Sequence, residues 1–282
     1  MSEDQMNDII AKAEAHRAQA EAHRAKGLTE VTATTQPQPD NTFSYSSIEL
    51  PSKGKLGYPT YVEYRDIMVK DEKAVANATE NTFFTTLNSV LKSLLKEPKY
   101  FDDMSVFDRD FLLMWIWSNN YDTQKKVNHV CTHCGESSEY QIDVTELDIS
   151  ELHEKYSDGY IHPFRSGKNL PIRLMTVRDE RIAAEYAKKH NKSPVDDVYV
   201  MMIMSVDSGN NMSLIDKLKW ADNTLTGKDM AEIRGFHAFF KFGIDDKLKR
   251  NCTHCGEGET ISIPFQIDDF LPTIECDFSF TV

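Results

Sequence analysis

The sequence has no run approaching 18 uncharged apolar residues, so no membrane-spanning helix is expected. Its first ten residues, MSEDQMNDII, hold no apolar signal core, so no export is expected. A nucleophile elbow, a phosphate loop, a His-Glu-x-x-His pair and a Rossmann glycine pattern are all missing. Positive charge is scarce: 32 Lys and Arg face 45 Asp and Glu, a formal net charge of -13. That balance argues against long contact with nucleic-acid phosphates, which needs clustered cations. Cysteine is scarce too. Four of the five form two C-x-x-C pairs, and Cys276 stands alone. In a chain that is not exported the thiols stay reduced, and paired C-x-x-C motifs are then read as metal ligands before disulfides.

What is present suffices for a folded body. The 282 residues are 40% hydrophobic, enough for one large domain or two moderate ones. Residues 1–43 read differently. Ala11 to Gly27 carries Ala-Glu-Ala-His-Arg-Ala twice, seven residues apart, a helix-forming composition with almost no large apolar residues. Such a stretch is either a frayed, solvated helix or one that docks on a partner. Thr29 to Asn41, rich in Thr, Pro and Gln, reads as a flexible linker.

From Ser44 onward the text repeats. Val-basic-Asp-Glu-basic occurs at Val69–Lys73 and at Val177–Arg181, 108 residues apart. Cys-Thr-His-Cys-Gly-Glu occurs at Cys131–Glu136 and Cys252–Glu257, 121 residues apart. The second spacing holds without a gap over its flanks. Ser105, Asp108, Leu112 and Trp115 match Thr226, Asp229, Ile233 and Phe236, while Val127 and Tyr140 match Leu248 and Ile261. Ile116 against His237 and Ser118 against Phe239 break the agreement. The expected domains are therefore 44–157 and 158–282, each a repeat carrying one C-x-x-C hairpin.

Each repeat reads as a short strand, a helix opened by Val-basic-Asp-Glu, further helix, a capped helix and a β-hairpin. Asp and Glu suit a first helical turn because its amides are unpaired. Helix is expected at Thr82–Lys96 and Val195–Met204, with Ser105 and Thr226 as N-caps. Strands are expected at Val127–Cys131 and Glu139–Val144, and at Leu248–Cys252 and Thr260–Phe265. The aromatic stripes on the capped helices read as core rather than as a binding face. Few strands among many helices make the class α+β, with two similar halves about a pseudo-twofold axis.

Two cysteines separated by two residues reach one metal from one turn, and Gly135 and Gly256 permit the turn's positive φ. One knuckle supplies only two of the four ligands that a structural zinc requires. The expected site is therefore one Zn²⁺ held by Cys131, Cys134, Cys252 and Cys255, with Lys125, Lys126, Lys247, Lys249 and Arg250 offsetting its charge. Three other readings stand beside it. His133 and His254 replace sulfurs or complete two separate sites, the pairs are redox-active, or the thiols hold no metal. A redox pair normally opens a helix, and these pairs lie between strands. Four cysteines close the metal's shell to water, and the Asp71–Glu72 and Asp179–Glu180 pairs are explained by capping and solvation. No enzymatic activity and no small-molecule substrate are expected.

The segment Ile48-Glu-Leu-Pro-Ser-Lys-Gly54, followed by Tyr58-Pro59, resembles the opening of the baseplate hub proteins of T4-type contractile-tailed bacteriophages. The strand, the Val-x-Asp-Glu helix start and the C-x-x-C hairpins follow in the same order. The resemblance runs from Ile48 to the end. It implies a structural or assembly role in the central hub of the tail baseplate, with other baseplate and hub proteins as partners. It also implies a place in the host cytoplasm during assembly and leaves two readings open, a part of the virion tail baseplate or a factor needed only for assembly. The alternative is a zinc-ribbon-like, nucleic-acid-binding or transcription-associated protein, which the basic residues beside each knuckle suggest.

Overall fold

The computed structural model describes residues 43–79, 82–121, 123–157, 159–190, 194–209 and 212–263. The chain divides into two units, Met1–Phe43 and Ser44–Val282. The expected Ala-rich helix, the linker and Cys276 lie outside the described residues. No helix among the described residues is long and apolar enough to cross a membrane.

The body opens with an antiparallel pair, β1 (Ser46–Glu49) and β2 (Tyr61–Tyr64). The connection between them carries the Leu-Pro-Ser-Lys-Gly sequence. Leu50 is fully buried there, and Gly54 is obligatory: its φ is +74°, and an added Cβ would meet Thr60 Oγ1 at 2.5 Å. Helix α1 (Val69–Ala76) follows. Asp71 in its first turn accepts the Met68 N–H at 2.9 Å and both guanidinium arms of Arg65, at 2.7 and 3.2 Å.

The same arrangement recurs 108 residues on. There β6 (Tyr160–Pro163) and β7 (Asn169–Ile172) lead into α4 (Val177–His190). Asp179 in its first turn accepts the Thr176 N–H and both arms of Arg173. The expected role of Asp71 and Asp179 as caps is seen. The neighbouring glutamates do more than face water: Glu72 accepts from the Tyr121 hydroxyl, and Glu180 accepts two bonds from Arg109, at 2.7 and 2.8 Å.

Helix α2 spans Phe83–Leu94 and buries Phe83, Leu87, Leu91 and Leu94, one face at helical spacing. It is shorter than expected because Leu95 turns extended and bridges Tyr64, while Lys96 N–H bonds Glu63 O of β2. Helix α3 (Val106–Asn120) starts at Ser105, whose hydroxyl accepts from Phe107 N–H. Helices α5 (Pro194–Ser205), α6 (Leu214–Thr224) and α7 (Gly227–Phe239) complete the helical part. Thr226 caps α7 in a reciprocal box with Asp229.

Strands β3 (Gln124–Val130) and β4 (Ser137–Asp143) form the first knuckle hairpin, β9 (Lys247–Asn251) and β10 (Gly258–Ser262) the second. Val127 pairs with Tyr140 and Leu248 with Ile261, so both hairpins share one register 121 residues apart. Both begin earlier than expected, leaving the cysteines in the turns. Two-residue strands β5 (Ile149–Ser150) and β8 (Gly243–Ile244) also pair. Every sheet among the described residues is a two-stranded antiparallel pair, and with the helices this makes the class α+β.

Packing positions the hairpins. One core contains Leu112 and Ile116 of α3, Val127, Tyr140 and Ile142 of the first hairpin, Ile261 of the second, and Ile263 just after it. Burying such a side chain is worth roughly 1.5–3 kcal/mol, so the shared apolar floor itself holds the hairpins side by side. A second core joins Tyr156, Phe164 and Ile172 to Ile233 and Phe236 of α7 and to Phe240 at its C-terminal cap. The expected core role of the stripes thus holds for most positions; Trp115 is only half-buried and donates its indole N–H to the Tyr64 hydroxyl.

Candidate metal centre

Each knuckle is a tight turn closed by its own backbone. Cys131 N–H bonds Glu136 O at 2.9 Å and Gly135 N–H bonds Cys131 O at 3.0 Å. In the second, Cys252 N–H bonds Glu257 O at 2.8 Å and Gly256 N–H bonds Cys252 O at 2.9 Å. Gly135 and Gly256 take φ of 77° and 78°, the left-handed region that favours glycine. The amides of His133 and His254 each point at the first sulfur of their own turn, at 3.4 Å. Donors from the amides of Cys255 and His254 pull the Cys252 thiol down to about 6.

The four sulfurs of Cys131, Cys134, Cys252 and Cys255 lie within 4.8 Å of one another. Across the knuckles, Cys131 Sγ is 3.7 Å from Cys255 Sγ and Cys134 Sγ is 3.8 Å from Cys252 Sγ. These are not disulfides, whose sulfurs sit about 2 Å apart. They do fit a tetrahedron: zinc–thiolate bonds of about 2.3 Å imply sulfur–sulfur edges of about 3.8 Å. Cys131 and Cys252 are buried, whereas Cys134 and Cys255 are exposed. The chain thus brings together all four cysteines that the repeat singled out, in one cluster rather than two. His133 does not join the cluster; its Nε2 lies 3.8 Å from a Glu259 oxygen.

Glu259 is the residue that sequence reasoning missed. It is almost fully buried on β10 and reaches across to the first knuckle. Its Oε1 accepts from Thr132 N–H at 3.0 Å, from Thr132 Oγ1 at 2.9 Å and from Cys131 Sγ at 3.2 Å. His129 Nε2 is 3.3 Å from its other oxygen. Donation from Cys131 and Thr132 pulls this carboxyl down to about 2. At the matched position of the first hairpin, Ser138 Oγ lies 2.8 Å from Thr253 Oγ1. Each hairpin therefore touches the threonine of the other's knuckle. Strand alternation carried the signal: Glu259 shares a face with Ile261.

Two of the five cations expected to offset the site's charge face acidic side chains instead. Arg250 pairs with Glu146 at 2.9 Å and Lys126 faces Glu139 at 4.0 Å. Another arrangement invites comparison with a hydrolytic dyad, since Ser205 Oγ lies 3.0 Å from His237 Nε2. Both residues are buried, the hydroxyl bonds Met202 O, and His237 Nδ1 has no partner among the described residues.

The model of the T4 bacteriophage base plate protein family matches residues 42–272, both knuckles included. The chain belongs to that family. No curated protein and no solved structure gives a significant match. The match begins just ahead of β1, close to where the sequence placed the start of the body. As a T4-type baseplate protein the chain has a structural role in the phage baseplate, among other baseplate proteins.

Proposed function

We propose that this baseplate protein is a hub component or hub assembly factor whose two halves, 44–157 and 158–282, are clasped by one structural zinc. Cys131, Cys134, Cys252 and Cys255 would be its ligands. The observation that carries the reading is the meeting of four sulfurs, from hairpins 121 residues apart, at separations suited to a tetrahedral ion. The common hairpin register and the reciprocal Glu259–Thr132 and Ser138–Thr253 contacts support a pseudo-twofold relation between the halves. A zinc with four thiolates has no open position for water, so it stabilises and does not catalyse. The chain acts with other baseplate and hub proteins in the host cytoplasm during assembly, and a hub component, unlike an assembly factor, is then carried into the tail. Nucleic acid and small-molecule substrates have no role in this reading: Lys126 and Arg250 beside the knuckles face acidic residues of the chain itself.

Metal analysis of the protein, purified under reducing conditions without chelator, tests the clasp. One zinc per chain is expected; two, or none, would overturn it. Substitution with Co²⁺ should give the visible absorption of a tetrahedral tetrathiolate site. Mass spectrometry of purified tails tests the hub assignment. The protein, if present, should co-purify with central hub fragments after the outer baseplate is removed. If it is absent from tails, loss of the gene should stop hub assembly; recovery with outer baseplate pieces alone would sink the assignment.

A further inference from the structure

Outside the metal centre, the largest unexplained surface lies along the outward face of α7. Ala231, Gly235 and Phe239 form a strip along one side of that helix, and Phe239 is 61% exposed. Beside the strip runs a groove of about 850 Å³ floored by Tyr160, Phe236 and Phe239. An added Cβ on Gly235 would meet nothing within 4 Å, so the groove is open at its middle. Three cations, Lys155, Arg165 and Lys228, line it. None of their charged heads pairs with a carboxylate among the described residues. The one acid in the lining, Glu232, is engaged by His162 at 3.0 Å and by the Arg165 N–H. In a chain of net charge -13 this apolar floor is edged by cations that no carboxylate among the described residues neutralises. It fits an extended segment that carries both aromatic and acidic residues.

The chain itself contains such a segment. Pro264 to Val282 includes Asp268, Asp269, Glu275 and Asp277 and no Lys, Arg or His. The same stretch carries Phe265, Phe270, Phe278 and Phe280. Its point of attachment is fixed: Ile263 is buried, and its N–H bonds Asp246 O at 2.8 Å. Asp246 follows Phe239 by seven residues, a path of at most about 25 Å, whereas nineteen extended residues reach about 60 Å. We propose that the groove along α7 is the seat of the chain's own segment Pro264–Val282, held by its phenylalanines on the floor and its carboxylates at Lys155, Arg165 and Lys228. The proposal concerns a surface apart from the knuckles and does not depend on the metal or on the hub assignment.

The test uses the full chain. Zero-length carbodiimide cross-linking of a mixture of ¹⁴N- and ¹⁵N-labelled protein, mapped by mass spectrometry, reads the contact directly. Expected are cross-links from Lys155 or Lys228 to Asp268, Asp269, Glu275 or Asp277 within one isotope label. Hydrogen exchange supplies the second readout. Gly235→Leu fills the groove without strain in the helix, and Lys155→Glu/Arg165→Glu/Lys228→Glu reverses its charge. Both should raise amide exchange across 265–282 at least tenfold while the knuckle hairpins stay protected. Cross-links only between differently labelled chains would assign the groove to a second copy and overturn the proposal. So would carboxylates linking only to lysines elsewhere, or equal exchange in the wild type and both variants.

Discussion

Asp108 and Asp229 stand at the third position of helices α3 and α7, 121 residues apart, and both are fully buried. Each is bonded by the connection of a β-hairpin, yet by different chemistry. Asp108 accepts from Ser52 N–H at 3.2 Å and from the Tyr58 hydroxyl, and no cation among the described residues bonds to it. Burial therefore pushes its carboxyl up despite those donors. Asp229 accepts from Lys168 Nζ at 2.7 Å, Ser166 Oγ at 2.6 Å and Thr226 N–H at 2.8 Å. Burial opposes its charge as well, but the ammonium and hydroxyl donors overcome burial and hold the carboxyl well down. The two regions keep the position and the burial, and change the partner. Where a hairpin must be fastened to a helix start, a buried acceptor is the requirement, and either neutral or cationic donors can satisfy it.

The largest effect is expected where the two regions share one object. Cys131→Ser and Cys252→Ser should each abolish metal binding and lower stability by about 5 kcal/mol or more, given what structural zinc contributes. The double variant should lose little beyond either single one, because the first change has already released the ion. Thermal unfolding of the four proteins checks this; additive losses would separate the knuckles into independent sites.

Next come the paired arginines. Arg65 and Asp71 have side chains 5% and 6% exposed, whereas Arg173 is 39% exposed beside an Asp179 of 1%. Arg65→Ala should cost about 3–5 kcal/mol, because it strands a buried carboxylate without water. Arg173→Ala should cost clearly less, since solvent enters on its side. Urea midpoints of the two variants decide the order.

Helix α7 buries His237 where α3 buries Ile116, and only the histidine titrates. Burial first, then Arg173, depresses the imidazole to about 4, with Asp179 opposing. Between pH 6.5 and 4 the unfolded chain binds a proton that the folded chain refuses. The contribution of His237 to stability is therefore level above about pH 6.5 and falls by up to about 3 kcal/mol on acidification to pH 4. His237→Leu should flatten this part of the curve, measured by denaturant unfolding across that range.

The smallest effect separates the knuckle partners. Glu259→Gln keeps an acceptor for Thr132 and removes the charge, so a loss of about 1–2 kcal/mol is expected. Ser138→Ala should cost about 1 kcal/mol or less, since one neutral bond is removed. Metal stoichiometry should remain unchanged in both, which distinguishes a latch from a ligand.

Local chemistry was legible in the chain. The C-x-x-C-G turns, the caps at Ser105 and Thr226 and the acidic helix starts depend on residues within a few positions of one another. Their backbone bonds follow from residue type and spacing. The repeat of those spacings also points to all four cysteines. Arg65–Asp71, Arg109–Glu180 and Glu259–Thr132 were not legible as contacts. A charged side chain reads as solvent-facing until packing buries it. The end of α2 at Leu94 was hidden for a different reason: Leu95 leaves the helix to bridge Tyr64 in β2, a long-range backbone contact. The sequence by itself thus determined which residues turn, cap and present sulfur. Tertiary structure alone decided that the two hairpins meet, because Ile142 and Ile261 are driven from water into one core and bring four sulfurs within 4.8 Å.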